Sequence, residues 1–333
     1  MTDPVRWGIA APGQIATKFA DDLGRLDDAS IVAVASRSAD RAAEFGDRFA
    51  IPHRYGSYDD LAADPDVDVV YLANLQSNHA ADAIAFLDAG KHVLCEKPLA
   101  LNERQVAAMA EAAARNGRFL MEALWSRFLP AYVELRRLLD EHVIGDVLLV
   151  EADFGFALAV DPAHRLYDRS LGGGCLLDLG IYPLQLATMV LGPAAAVSAI
   201  GHLGETGVDD HTIVSITHES GGISVSQAAV RVGLANQARI AGTGGTIELP
   251  SMMHHPQHLD IAVNAGGAAG SIRRVDAPFE GNGLRFQATE VHRCLRAGDA
   301  ESPAMPLAES RRLARIMDQA RAQIGLRYPA DDD

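Results

Sequence analysis

Val5-Arg6-Trp7-Gly8-Ile9-Ala10-Ala11-Pro12-Gly13-Gln14-Ile15-Ala16 is the stretch from which the fold is read. The apolar run Val5–Ala10 reads as a strand, the pattern breaks at Pro12-Gly13, and a helical pattern begins at about residue 14. A turn of this kind, between a first strand and a first helix, lets backbone N–H groups and the helix N-terminus hold a pyrophosphate. Measured against G-x-G-x-x-G/A, Ala11 replaces the first glycine, while Gly13 and Ala16 keep the other two places. Alanine at that place is tolerated at negative φ and costs about 1 kcal/mol if the turn demands positive φ.

Working outward, short apolar runs at 5–10, 31–35, 67–72, 91–95 and 119–121 read as strands. Helical patterns follow them at about 14–25, 39–49, 79–89, 102–116 and 129–142. This alternation predicts an α/β fold with a doubly wound parallel sheet of the Rossmann type. Asp59-Asp60 and Asp64-Pro65-Asp66 read as helix ends and turn acids. From about 147 the pattern changes. A strand over 147–156 precedes a helix opened by Gly172-Gly173-Gly174 and running to about 191. Strand candidates then crowd together at about 197–204, 211–218, 222–230, 236–241, 246–249, 258–263 and 271–275. Short connections of this kind predict an open, mostly antiparallel sheet in an α+β domain. Helices at about 284–297 and 307–324 close the chain, and 328–333 reads as a loose tail. The expected division is a dinucleotide-binding domain over 1–122 and a substrate-binding and dimerisation domain over 123–333.

The 333 residues are 48% hydrophobic and 22% charged, a globular composition. A net charge of −15 argues against general affinity for nucleic-acid phosphates. No apolar run approaches the roughly 18–20 residues of a membrane span, and no signal core precedes the first strand. Cys95, Cys175 and Cys294 are scattered among apolar neighbours and read as buried thiols in a reducing cytoplasm. His254, His255 and His258 form the densest histidine group, but on a loop or sheet edge, so no metal is expected. Gly242-Thr243-Gly244-Gly245 reads as a hairpin rather than a phosphate loop.

Several residues carry candidate chemistry. The second strand ends in Ser36-Arg37-Ser38, with Arg41 one turn on, and no acid is present to bind a ribose 2′-hydroxyl. These donors suit a 2′-phosphate, which makes NADP the expected cofactor and NAD the weaker one. Asn74, Leu75 and His79 lie in the loop leaving the strand that ends at Leu72, where they face the cofactor or cap the next helix. Glu96-Lys97-Pro98 sets an ammonium at the exit of a strand, before a proline turn. Asp178 and Tyr182 stand four apart on one helix face. Trp125, Phe154 and Phe279 are candidate walls of an apolar pocket, with core packing the alternative.

Together these segments resemble the Gfo/Idh/MocA family of nicotinamide-dependent oxidoreductases. Besides those segments, the likeness rests on Met121–Phe128 and Glu205-Thr206-Gly207-Val208-Asp209-Asp210, and it covers nearly the whole chain. Trp125, and a tyrosine rather than a histidine at 182, make the chain most similar to the group of trans-1,2-dihydrobenzene-1,2-diol dehydrogenases and NADP-linked D-xylose 1-dehydrogenases. The resemblance implies that Lys97 and Tyr182 are the catalytic pair and Asp178 an active-site acid, orienting substrate or holding Lys97. It implies cofactor contacts from Gly8, Ala11, Gly13, Gln14 and Ile15, from the residues of the second strand end and the 74–79 loop, and from Glu96, Lys97, Trp125 and Arg127. Substrate contacts fall to Trp125, Phe154, Asp178, Tyr182 and Phe279. The expected reaction passes a hydride between the nicotinamide and a hydroxyl of an aldose or cyclic trans-diol, in a homodimer formed through the second sheet. A keto-sugar reductase and a non-catalytic NADP sensor are the alternatives.

Overall fold

A computed structural model describes residues 3–264 and 270–332. The chain divides into two units, 3–128 with 280–311, and 129–279 with 312–332. Residues 280–311 therefore join the dinucleotide-binding part, although a division at 122/123 assigns them to the second.

The first unit holds six parallel strands in the order β3-β2-β1-β4-β5-β6. They are β1 (Val5–Ala10), β2 (Ala29–Ala35), β3 (His53–Tyr55), β4 (Val69–Leu72), β5 (His92–Glu96) and β6 (Leu120–Ala123). All four residues of β4 and of β6 are buried, as expected for strands covered by helices on both faces. The helices are α1 (Gln14–Leu23), α2 (Ala39–Phe49), α3 (Tyr58–Ala63), α4 (His79–Asp88) and α5 (Glu103–Asn116). The short edge strand β3 and helix α3 do not stand out in the sequence. His-Arg-Tyr has no apolar run, and α3 takes in Asp59-Asp60 as its first turn, capped by Ser57, which accepts from the Asp60 amide at 3.2 Å. Helix α8 (Arg285–Ala297) returns to this unit. Its start is fixed by the buried Asp22 carboxylate, which accepts from the amides of Asn282 (2.8 Å) and Leu284 (2.7 Å).

In the second unit, α6 (Pro130–Asp140) and α7 (Ile181–Leu191) accompany an eight-stranded sheet ordered β14-β13-β12-β11-β7-β10-β9-β8. The strands are β7 (Val147–Gly155), β8 (Ala194–Leu203), β9 (Asp209–His218), β10 (Ile223–Ala229), β11 (Ala238–Gly242), β12 (Gly245–Leu249), β13 (His258–Val263) and β14 (Ile272–Asp276). Every neighbouring pair is antiparallel except β7 and β10. Gly242 pairs with Gly245 at a tight hairpin. Burial alternates along β9, so one face lies on the core. The other face leaves Ile200 and Ile272 79% and 71% exposed.

The last long helix, α9, spans Leu307–Ile324. Among the described residues, one helical stretch, 169–191, is long and apolar enough to cross a membrane by length and composition, and 89% of its most apolar window is buried inside the fold. It is the core helix of the second unit, and a sequence scan for unbroken apolar runs does not isolate it. The chain end is not a loose tail as far as it is described. Tyr328 is buried and donates to the Gly173 carbonyl at 2.6 Å, while Arg321 pairs with Asp331 across 2.5 Å. Asp333 lies outside the described residues.

Candidate active site

In the first unit, the turn after β1 places Ala11 at φ 65, the left-handed region, with its amide bonded to the Ala35 carbonyl at 3.0 Å. The strained option for this alanine is the one adopted. Gly13 begins α1 in extended geometry without a side-chain cap, so no side chain satisfies the first amides of that helix. Uncapped amides at a left-handed turn fit a pyrophosphate. Gln14 is exposed, and Gly8 packs within β1, where a Cβ would meet Leu61 and Val67 at 3.0 Å. Gly8 therefore serves helix–strand packing, and Ile15 is half-buried on α1.

At the end of β2, Ser36 is buried and accepts from the Ser38 amide at 3.2 Å, and Ser38 caps α2. Arg37 and Arg41 are exposed, and Arg41 reaches the Pro12 carbonyl at 3.3 Å, which ties the donor cluster to the turn. Leu75 is half-buried, and the Asn74 amide bonds Asp82 at 2.5 Å.

His79 is fully buried, its Nδ1 2.8 Å from the Pro98 carbonyl and its Nε2 3.2 Å from that of Asn74. Burial pushes its pKa down to about 4. A neutral ring donates once, and the shorter contact selects Nδ1–H. His79 thus braces the Lys97–Pro98 turn, whose peptide is cis. Glu96 is buried as well; its carboxylate accepts from the Tyr71 hydroxyl and from the Lys97 amide at 3.2 Å. Glu122, buried and raised to about 6, accepts from the Leu99 amide at 2.9 Å on the far side of the turn. Lys97 is therefore carried on a rigid turn at the carboxyl end of β5, half-exposed. Arg127 pairs with Glu309 at 2.7 Å, both side chains buried, and this ion pair anchors the Trp125–Phe128 turn. Trp125 is buried.

In the second unit Gly173 and Gly174 are packed too tightly for any side chain. A Cβ on Gly173 would lie 2.7–2.8 Å from three backbone carbonyls, those of Arg165, Leu166 and Asp168. One on Gly174, at φ 119, would fall 2.0 Å from Asp209 Oδ1. Asp209 Oδ2 accepts from the Leu176 amide and the Thr212 hydroxyl, each at 2.8 Å, and from the Cys175 thiol at 3.0 Å. Complete burial lifts Asp209 to about 6 and raises the Cys175 thiol well above its ordinary range. The helix that follows begins as a wide π turn, Leu176–Gly180, before α7. Pro183 lacks the amide that would bond Leu179, and its ring crowds that carbonyl; a widened turn just upstream accommodates both.

Asp178 is held by a two-pronged bond from Arg165, Nη1 to Oδ1 and Nη2 to Oδ2, both 3.1 Å, with side chains 46% and 8% exposed respectively. Tyr182 is buried edge-on to Phe154, ring centroids 5.4 Å apart. His254 joins them, 4.3 Å from Phe154 and 5.2 Å from Tyr182. Phe279 is half-buried, its amide bonded to Gln257.

Within the second unit the rings of Tyr182 and Phe154 meet, and Asp178 precedes Tyr182 by four residues on the same helical stretch. Arg165 and His254 were not legible as site residues. Arg165 lies in a polar loop with no periodic pattern, and His254 lies, as read, in a loop, between β12 and β13, where no pattern marks what it touches. Only His258 of the three histidines lies on a strand, β13. Among the described residues, His53, Asp64 and Asp66 could bring ligand atoms within 4.8 Å of one another. Asp64 is already taken by His53 and Tyr55, and Asp66 by Arg6, so their charges are spent on each other.

Residues 5–124 match the model of the oxidoreductase family with an NAD-binding Rossmann fold, and 132–248 that of the GFO/IDH/MocA C-terminal domain. The chain is 41% identical over 334 residues to a trans-1,2-dihydrobenzene-1,2-diol dehydrogenase of Danio rerio, covering 98% of this chain and 99% of that one. An aldose-aldose oxidoreductase of Caulobacter crescentus, complexed with glycerol, superposes with a TM-score of 0.87 at 27% identity, over 96% of this chain and 97% of the other. A 3-ketoreductase of Actinomadura kijaniata, in complex with NADP and TDP-benzene, does so with 0.84 at 25%, over 97% and 98%.

Proposed function

The chain belongs to the GFO/IDH/MocA oxidoreductase family and is a dehydrogenase acting on CH–OH groups, and we propose that it uses NADP to oxidise a hydroxyl of an aldose or a cyclic trans-diol. Two features of the sequence and of the separate units support the reading: an ammonium on a rigid strand-end turn, Lys97 after β5, and a phenol and a carboxylate on one helical stretch, Tyr182 and Asp178. We propose that these act on one substrate hydroxyl. Bound nicotinamide supplies the hydride acceptor. Tyr182 takes the hydroxyl proton as hydride leaves the carbon, giving a ketone or lactone; in reverse it returns that proton. A phenol ordinarily ionises near 10, and a neighbouring ammonium favours the phenolate. Lys97 also steadies the negative charge that develops on the substrate oxygen. Asp178, aimed by Arg165, orients the neighbouring hydroxyl.

Arg37 and Arg41, with no acid at the end of β2, support NADP over NAD. The exposed apolar residues on the outer face of the second sheet support a homodimer through that face, and three free buried thiols support a cytoplasmic setting. The likeness to the Actinomadura ketoreductase favours a second reading, reduction of a keto-sugar. The test is absorbance at 340 nm with aldoses, cyclic diols and keto-sugars, each with NADP(H) and NAD(H). Lys97→Met and Tyr182→Phe should each lower kcat at least a hundredfold while NADP still binds. Wild-type rates in both variants would overturn the roles, and tighter binding of NAD would overturn the cofactor.

A further inference from the structure

A cavity of about 360 Å³ lies within the first unit, at the amino ends of its strands. Val5 opens β1 there, Asp68 precedes β4, His92 opens β5, Arg118 precedes β6, and α8 contributes Leu295 and Arg296. In a parallel sheet those ends share one edge, and the Ala11 turn follows the other end of β1, roughly 17 Å away at about 3.3 Å per residue. We infer that this cavity is a binding site for a small monocarboxylate with an apolar body, separate from the dinucleotide site. The inference does not rest on the roles proposed for Lys97 and Tyr182.

Arg118 is the central observation. Its side chain is half-buried and its Nε fully so, and among the described residues no hydrogen bond or ion pair takes up the guanidinium. Its Nη2 stands beside Gly90, another lining residue, 3.7 Å from where a Cβ would be. An arginine stays charged, and a desolvated donor without an acceptor costs stability that the fold does not recover. The other charges of the wall are already spent. Asp68 accepts from the Arg6 amide at 2.9 Å, from its Nε at 3.1 Å and from its Nη2 at 2.7 Å. Arg296 pairs with Asp28 at 2.7 Å. Asp3 is exposed, where water and salt screen it. One cation remains, which matches one negative charge.

His92 supplies a second donor. Its Nδ1 accepts from the Phe119 amide at 2.8 Å. Burial, and after it the Arg118 charge, push the ring down to about 4. Near neutrality the single hydrogen therefore sits on Nε2. A guanidinium fork and an imidazole N–H in one wall select a ligand that only accepts. A carboxylate takes both prongs of the fork and keeps lone pairs for the imidazole. Pro4, Val5, Val67 and Leu295 line the same cavity and suit a hydrocarbon body. The carboxylates of Asp3 and Asp68, also in the lining, disfavour a doubly charged phosphate. The volume lies at the small end of ligand cavities, so the body is small.

The test is calorimetric titration of the full chain with benzoate, hexanoate, benzamide and inorganic phosphate, with NADP or NAD saturating so that the dinucleotide site is filled. At least one of the two carboxylates should bind, and benzamide and phosphate should bind at least tenfold more weakly. Arg118→Met should weaken the carboxylate at least tenfold, and Arg118→Lys should recover only part, because an ammonium cannot form the fork. Since Arg118 bonds nothing in the fold, Arg118→Met without ligand should melt no lower than wild type, which separates lost binding from lost folding. Binding of neither carboxylate, equal binding of benzamide, tighter binding of phosphate, or an affinity unchanged in Arg118→Met overturns the site. If Arg118→Met melts lower, the Arg118→Lys titration decides: wild-type affinity there overturns the site as well.

Discussion

Replacing Ala11 with glycine relieves a strain whose size can be worked from the backbone. At φ 65 an L side chain costs about 1–2 kcal/mol relative to glycine. The turn cannot relax to avoid this, because the Ala11 amide is bonded to Ala35 at 3.0 Å and Gly13 must begin α1 two residues later. Glycine also gains freedom in the unfolded chain, which offsets about 0.4–1 kcal/mol. The net expectation is stabilisation of the first unit by about 0.5–1 kcal/mol. Both tryptophans of the chain, Trp7 and Trp125, lie in that unit and are buried, so their fluorescence reports its unfolding. With a urea slope of about 2–3 kcal/mol per molar, the midpoint should rise by about 0.2–0.5 M. Ala11→Val, β-branched at the same φ, should lower it. A glycine variant at or below the wild-type midpoint would refute the claim that this turn stores strain.

Asp209 should make the second unit lose stability as pH rises. Burial holds its carboxyl near 6, above an unfolded value of about 3.9, so the folded state keeps the proton longer. That contribution is complete below about pH 4 and is lost as pH climbs through 6, on the order of 3 kcal/mol. Asp209→Asn does not titrate, so in urea melts its stability relative to wild type should improve from pH 4 to 7; a constant difference would contradict the assignment. Arg165→Gln strips both donors from Asp178 and should lower kcat/KM at least tenfold, with Arg165→Lys recovering only part, because an ammonium cannot form the fork. Full recovery by lysine would mean that charge alone matters there.

The parallel sheet was legible because its strands are buried on both faces and therefore appear as unbroken apolar runs, as in Val69–Leu72. Edge strand β3 and helix α3 escaped because three residues of mixed polarity and a six-residue acidic helix generate no period. The return of α8 to the first unit escaped for a different reason. It depends on Asp22 accepting amides some 260 positions away, a pairing that no local pattern encodes.

The site divides along the same line. Lys97, Asp178 and Tyr182 could be singled out because each sits at a punctuated place, a strand exit before proline or a helix opened by glycines. Arg165 and His254 sit in irregular loops, and their meaning arises only from what they touch. The glycine segment shows how the two kinds of information join. Gly173 is required by the carbonyls of Arg165, Leu166 and Asp168, and Gly174 by Asp209. The glycines therefore mark the place where the loop carrying Arg165 is pressed against the helix carrying Asp178. Those missing side chains let the guanidinium reach the carboxylate, while Asp209 fixes the first turn from below through Leu176. Read physically, three consecutive glycines before an acid signal a backbone crossing, and the residue to seek is a cation a few positions upstream on the chain that crosses.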